Sequence, residues 1–424
     1  MATTIPTLEF PGVSYPGRRK VTEIFNELKR QTKAYADYVV STKNMAVQRH
    51  DAYGLVLAFS VDGHIRQLPM SHRAWLQLAQ WLGLRTDSRL YKRLRYGYEK
   101  PKATKSDRFW DSWLRLINDH FQIVSSRRLI RTLARPDGAW YVRAIMSNSY
   151  RIIPNDQLFL HAADKIQEAG AEVWDARLSE DRFYLYCVAP GISAQIRSDR
   201  PFKDSAWKGD AGDAVNAALM LANSETGQGG CDVKPGIVTA VTGAYMVGQT
   251  TLSLRHLGAR HDTDSLLSEA TIHKENELVF AQIKDFIDAA FNEDRFQLFV
   301  DKMQDATQDE LDDPMQAAQA LRIVYDMSEA REKEITKWLL RSGDNSRLGL
   351  ARAVCHEAQS NDRLNADEAA LLEQLGGELV EKQTALSLAR AYEAKSKRRA
   401  TKAAGAAVAV ERELAAAMAD DIDM

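Results

Sequence analysis

Asp262 divides this chain into two kinds of sequence. Before it, short alternating apolar runs and helical patterns are interspersed, separated by turn-forming residues. After it, apolar residues recur at helical spacing and strand patterns nearly vanish. That order of elements predicts an α+β fold: a mixed or antiparallel sheet core with packed helices, followed by a mostly helical C-terminal region. At 424 residues the chain is long enough for two or three domains and a sizeable core. The organisation expected is an irregular arm over 1–19, a basic mixed region over 20–127, an α+β core over 128–261, an acidic helical region over 262–394, and a mobile tail over 395–424 with a basic stretch and an acidic tip.

Charge is divided almost as sharply. Residues 1–151 hold 26 Lys and Arg against 12 Asp and Glu; residues 152–424 hold 30 against 46. The overall net charge of −2 therefore hides two opposed fields. Five of the eight Trp lie in or beside the densest basic stretch, at Trp75, Trp81, Trp110, Trp113 and Trp140, with Tyr141 and Tyr150 close by. Cations follow phosphates and rings stack on bases, so interleaving of this kind suits single-stranded nucleic acid. The competing reading is a solvated basic face over a Trp-rich core. Cys187, Cys231 and Cys355 are far apart and form no CxxC motif, which argues against a disulfide scaffold and for a reducing, cytoplasmic setting. No apolar run approaches the ~18 residues of a membrane span, so no membrane is expected as a partner.

Within the first part, a helical pattern runs from Val21 to Val40. Tyr53–Val61 and His64–Leu68 read as strands joined by Asp62-Gly63, and Ser71 as the cap of a helix that Gly83 ends. Another helix carries Trp110 and Trp113. Leu129–Arg135 and Ala139–Ser147 flank Pro136-Asp137-Gly138, a three-residue hairpin loop. An uninterrupted register would set Arg135 opposite Ala139, Leu133 opposite Tyr141, and Arg131 opposite Arg143. Like charges facing each other cost a few tenths to about 1 kcal/mol unless an anion lies between them. This face is therefore expected to take a phosphate backbone, unless acidic side chains from the C-terminal part satisfy its arginines. The unit 129–198 reads strand–strand–helix–strand–strand with Asn155 or Asp156 as helix cap; Asp213–Ala222 reads as a short helix, and Val233–Thr242 and Thr250–His256 as strands. Helices follow over 263–291, 294–306, 314–341, 345–358 and 366–394.

Chemistry-bearing motifs are few. Gly243 and Gly248 have phosphate-loop spacing, but Gln249 stands where that loop needs Lys, so a turn between strands is the better reading. His256, His261 and His273 form a loose cluster, but His256 and His261, five apart, share neither one helix face nor one strand face, and no metal is expected. The run Asp309, Glu310, Asp312, Asp313 reads as a solvated face. No catalytic constellation is legible, so no catalytic residue and no cofactor is assigned.

Three segments, Ser149-Tyr150-Arg151-Ile152-Ile153-Pro154-Asn155, Asn223-Ser224-Glu225-Thr226-Gly227 and Arg255-His256-Leu257-Gly258, resemble the family called domain of unknown function 932, the phage/plasmid-like proteins. After Pro235 the chain departs from that pattern, showing Thr239, Thr242 and Gly243. The resemblance implies a mobile-element protein of replication or recombination in a bacterial host, with Asn223, Ser224, Glu225, Gly227, Arg255 and His256 as its motif residues. Side-chain-to-backbone bonds in a tight turn are the expected role of Asn223, Ser224 and Glu225. Charge and resemblance together lead to a non-enzymatic nucleic-acid-binding protein, with single-strand binding or annealing as its expected role. Its phosphate contacts would be Lys100, Lys102, Lys105, Arg127, Arg128, Arg131, Arg135, Arg143 and Arg151, its stacking residues Tyr141 and Tyr150. Homo-oligomers and a protein partner at the acidic tip, Asp420–Met424, are further expectations. The alternative is an interaction or regulatory protein whose basic and acidic halves pair with each other or with a protein; an enzyme with an unrecognised site is the third.

Overall fold

The computed structural model describes residues 21–84, 92, 108–197, 212–239, 243, 245–248, 251–256, 269–361, 363–381, 390 and 393. The fold is α+β, with antiparallel sheets first and a helical C-terminal region after them.

Helix α1 (Val21–Ala34) buries Ile24, Phe25 and Leu28. The chain then turns extended, against the helical expectation: Tyr35–Ser41 is strand β1, in which Tyr38 and Val40 face one core and Tyr35 and Asp37 the other side. Aromatic and β-branched residues at alternating positions fit a pleated surface once a partner strand is present. That partner is β5 (Arg127–Ala134), which also pairs with β6 (Trp140–Ser147) to give the order β1-β5-β6. The expected boundary at 127/128 thus falls inside one sheet. A second three-stranded sheet, β2-β3-β4, contains β2 (Met45–His50), β3 (Gly54–Val61) and β4 (His64–Pro69). Asp62 and Gly63 make its predicted turn with φ of 50° and 78°. Ser71 caps α2 (His72–Trp81) by accepting from Ala74 N at 3.0 Å. Trp75 and, on α3 (Arg108–Ile123), Trp110 are buried in the core between these two sheets.

The larger sheet has the order β11-β10-β9-β8-β7, with β12 also on β10. Its strands are β7 (Glu172–Leu178), β8 (Phe183–Arg197), β9 (Gly212–Asn223), β10 (Cys231–Thr239), β11 (Tyr245–Val247) and β12 (Leu252–Leu254). The strand–strand–helix–strand–strand order over 129–198 is present, through α4 (Asn155–Glu168), but its two halves lie in different sheets. The segment read as a helix over Asp213–Ala222 is the central strand β9. Its Ala, Leu and Met content favours a helix locally, yet β8 and β10 pair along both its edges. Val215, Ala217, Leu219 and Leu221 enter one core and Ala218, Met220 and Ala222 the other. A strand buried on both faces reads as a continuous apolar run, and tertiary pairing overrides propensity. Pro235, which has no N–H to donate, falls where β12 gives way to β11 along β10.

The helices described after the sheet are α5 (Glu269–Ala290), α6 (Glu293–Gln308), α7 (Pro314–Tyr325), α8 (Glu329–Ser342), α9 (Arg347–Ser360) and α10 (Ala366–Glu381). The helix expected over 314–341 is two, divided where Asp326 turns left-handed (φ 55°) and Ser328 caps the next helix. The acidic run is built into this region: Asp309 pairs with Arg347 at 2.7 Å and Asp313 caps α7. All three cysteines are free and buried. No described helix is long and apolar enough to cross a membrane.

Helix α10 is joined to the sheet at two levels. Arg177 donates to Glu373 Oε1 at 2.9 Å and to Asp175 Oδ2 at 2.8 Å, with its guanidinium over the Tyr186 ring. One turn on, a Cβ on Gly377 would lie 1.8 Å from the Val247 carbonyl oxygen of β11, and one on Gly376 would lie 2.2 Å from Cys355 Sγ. Only a residue without a side chain lets the helix lie that close to backbone. Replacement of Gly377 by Ala is therefore expected to destabilise the fold by about 1–3 kcal/mol, the usual cost of overpacking, read as a lower urea midpoint.

Candidate nucleic-acid interface

The β5–β6 turn forms as its sequence predicts. Arg135 N donates to Ala139 O at 2.9 Å, Asp137 Oδ1 accepts from Ala139 N, and Gly138 takes φ 83°. Leu133 faces Tyr141, as expected. Beyond that pair the register slips: Arg131 lies opposite Ala144, and Arg143 becomes the extra residue of a bulge. The expectation of two arginines facing each other on an open sheet is corrected here. Both are buried, Arg131 at 1% and Arg143 at 2% exposure.

Both arginines meet the same carboxylate. Glu225 Oε2 accepts from Arg131 at 3.1 Å and from Arg143 at 3.2 Å, while its Oε1 accepts from Asn155 N at 2.8 Å. That N–H belongs to the first turn of α4, where the helix dipole favours negative charge. Arg131 also reaches Asp37 Oδ2 at 2.9 Å and lies over the Tyr35 ring; Arg143 donates to the Glu180 carbonyl. The anion between the arginines is thus the protein's own, and these two side chains are withdrawn from any surface set of phosphate ligands.

Two of the segments behind the family resemblance meet at this carboxylate, and the third joins them through His256, which bonds Arg151 and lies against Tyr150. Asn223 Nδ2 donates to the carbonyl of Ile153 at 2.9 Å and to Asn155 Oδ1 at 2.7 Å. Tyr150 OH donates to Ser224 O at 2.7 Å, and Ser224 Oγ accepts from the N–H groups of Thr226 and Gln228 while donating to Asp181 O. Gly227 takes φ +80° beside Gln77, whose amide bridges Thr226 O and Ile145 N. Arg151 N donates to His256 O, and the His256 ring is 4.9 Å from that of Tyr150. Tyr150 is thus a joint in this turn, and burial holds its hydroxyl well above the usual phenol range. Pro154 occupies the cap of α4, with Asn155 its first helical residue.

The other predicted phosphate ligands are dispersed. Arg127 and Arg135 are exposed near the two ends of β5. Arg128 is half-buried with its guanidinium over Trp81, and burial lowers its pKa. Arg151 pairs with Glu275 at 3.7 Å, and Arg255 is exposed. Arg135 lies over the Tyr141 ring at 5.2 Å, beside a pocket. Lys100, Lys102, Lys105, His261, Gln249 and the tip Asp420–Met424 lie outside the described residues. Gly243 and Gly248 bracket strand β11 rather than opening a helix. Among the described residues no group of three or more His, Cys, Asp or Glu is placed to hold a metal ion. Sequence reasoning missed Asp37, Gln77 and Asp181; the nearest sequence separation among their bonds to this junction is 43 residues, and no local pattern marks such partners. No protein-family model, no curated protein and no solved structure matches this chain.

The junction yields two expected outcomes. Glu225→Gln leaves two buried guanidinium groups facing a neutral amide, so the unfolding free energy should fall by about 3–5 kcal/mol in urea titrations. The second concerns His256. Its Nδ1 meets the Arg151 carbonyl at 2.9 Å; a carbonyl only accepts, so Nδ1 carries the proton. Burial holds the ring below its ordinary pKa near 6.5. The unfolded chain therefore binds the proton first on acidification. The stability contribution is complete above about pH 6.5 and declines as pH falls below it. The stability difference between wild type and His256→Asn should shrink from pH 7 to pH 5.

Proposed function

We propose that this chain is a nucleic-acid-binding protein of phage or plasmid type that holds single strands through the surface of its basic N-terminal third, with strand annealing a role such binding would serve. The reading rests on one observation: after Arg131 and Arg143 are committed to Glu225, cations still stud this part of the surface. Arg127, Arg135, Lys29, Lys33, Arg66 and Arg115 are all exposed. The contacts that link the three motif segments, through Glu225 and through His256, support treating them as one unit, as the family resemblance does.

A second reading has its own support. Ion pairs such as Arg73–Asp181 at 2.6 Å and Arg151–Glu275 at 3.7 Å join the basic third to the acidic remainder, as in a protein whose opposed halves serve each other or a protein partner.

Fluorescence anisotropy with labelled single- and double-stranded oligonucleotides across a salt series separates the two. The first reading expects log K to fall linearly with log salt on single strands. Arg127→Glu with Arg135→Glu should reduce that slope by about 0.7 for each phosphate that is no longer neutralised. An absence of signal at low ionic strength overturns it in favour of the second.

A further inference from the structure

A pocket of about 360 Å³ lies between α1, the start of α2 and the β5–β6 turn. Its walls include Glu27, Arg30, Gln31, Arg135 and Tyr141. One wall is rigid: Arg30 binds both carboxylate oxygens of Glu27, at 2.8 and 2.6 Å, and donates to the Ala134 carbonyl at 3.0 Å. Gln31 Nε2 completes this set by donating to Glu27 Oε1 at 2.9 Å. The same amide's oxygen is left buried with no hydrogen-bond donor among the described residues. The other wall carries the Tyr141 ring with the Arg135 guanidinium stacked over it.

These features specify a ligand. Arg30 is neutralised by Glu27, so the pocket does not call for a free polyvalent anion. It presents a ring and a flat cation, with Glu180 also on its wall, and these complement a planar heteroaromatic group bearing an N–H. Its volume is at the small end of ligand sites, about 300–1,000 Å³, enough for one nucleotide and too small for a duplex. Arg135, exposed at the turn, is also placed to meet a phosphate attached to that group. We infer that this pocket takes a single unpaired nucleobase of a bound strand, stacked on the Arg135–Tyr141 pair. The inference rests on the nucleic-acid reading above and deepens it: a base in a duplex would first have to leave its stack, so the pocket selects single strands.

The test compares a labelled oligothymidylate with an abasic strand of equal length and charge, by anisotropy at one low salt concentration. Base stacking of this kind should favour the base-bearing strand by about ten-fold. Tyr141→Leu, which keeps an apolar side chain but removes the ring, should move the ratio of the two affinities toward one. Arg135→Gln, at an exposed turn where folding is not at stake, should do the same. Equal affinity of the wild-type protein for both strands overturns the base pocket and leaves the nucleic-acid reading standing. Failure to bind either strand removes both. A ten-fold preference that both substitutions leave intact places base recognition elsewhere and also overturns the inference.

Discussion

The Glu225 carboxylate lies where three pieces of chain meet: the bulged β5–β6 hairpin, the first turn of α4, and the turn that follows the central strand β9. Two guanidinium groups and a helix N-terminus are each unfavourable when buried without a counter-charge, so the packing of one sheet against the next depends on this one anion. Asp37 on β1 adds a second carboxylate to Arg131, which brings the N-terminal strand into the same arrangement.

The larger sheet depends on a different device at its far end. Arg177 reaches Glu373 across from β7, and the glycine pair Gly376-Gly377 brings α10 against the backbone of β11. Charge sets the register of that helix and the missing side chains set its distance. The two junctions bracket a core that runs from Phe25 on α1 to Val380 on α10. Helices from both ends of the described chain therefore share one hydrophobic interior.

Local chemistry was legible wherever a few adjacent residues decide the outcome. Asp62-Gly63, the Ser71 cap and the Pro136-Asp137-Gly138 turn follow from φ preferences and side-chain oxygens within three or four residues. Reading failed where distant segments decide. Tyr35–Ser41 continues a helical pattern but is claimed by β5, and the Ala-rich β9 becomes a strand because neighbours cover both its edges. At the site, the arginines were visible in the sequence but their anion was not. Arg131 and Glu225 are separated by 94 residues, and the bulge that aims Arg143 at the same oxygen has no signature in the hairpin sequence. The resemblance pointed to Glu225 for its place in a motif, and the hairpin to the arginines for their charge; neither joined the two.

The three thiols share one condition. Cys187, Cys231 and Cys355 are all at 0% exposure, burial pushes the Cys231 group up to about 12, and Cys355 Sγ is pressed toward Gly376. A thiolate is the reactive form, so each is inert to alkylating reagents while its surroundings stay closed. Cys187 and Cys231 sit in the larger sheet and Cys355 beneath α10, which makes their rates of modification a native clock for the breathing of sheet and helix separately, with no foreign label introduced.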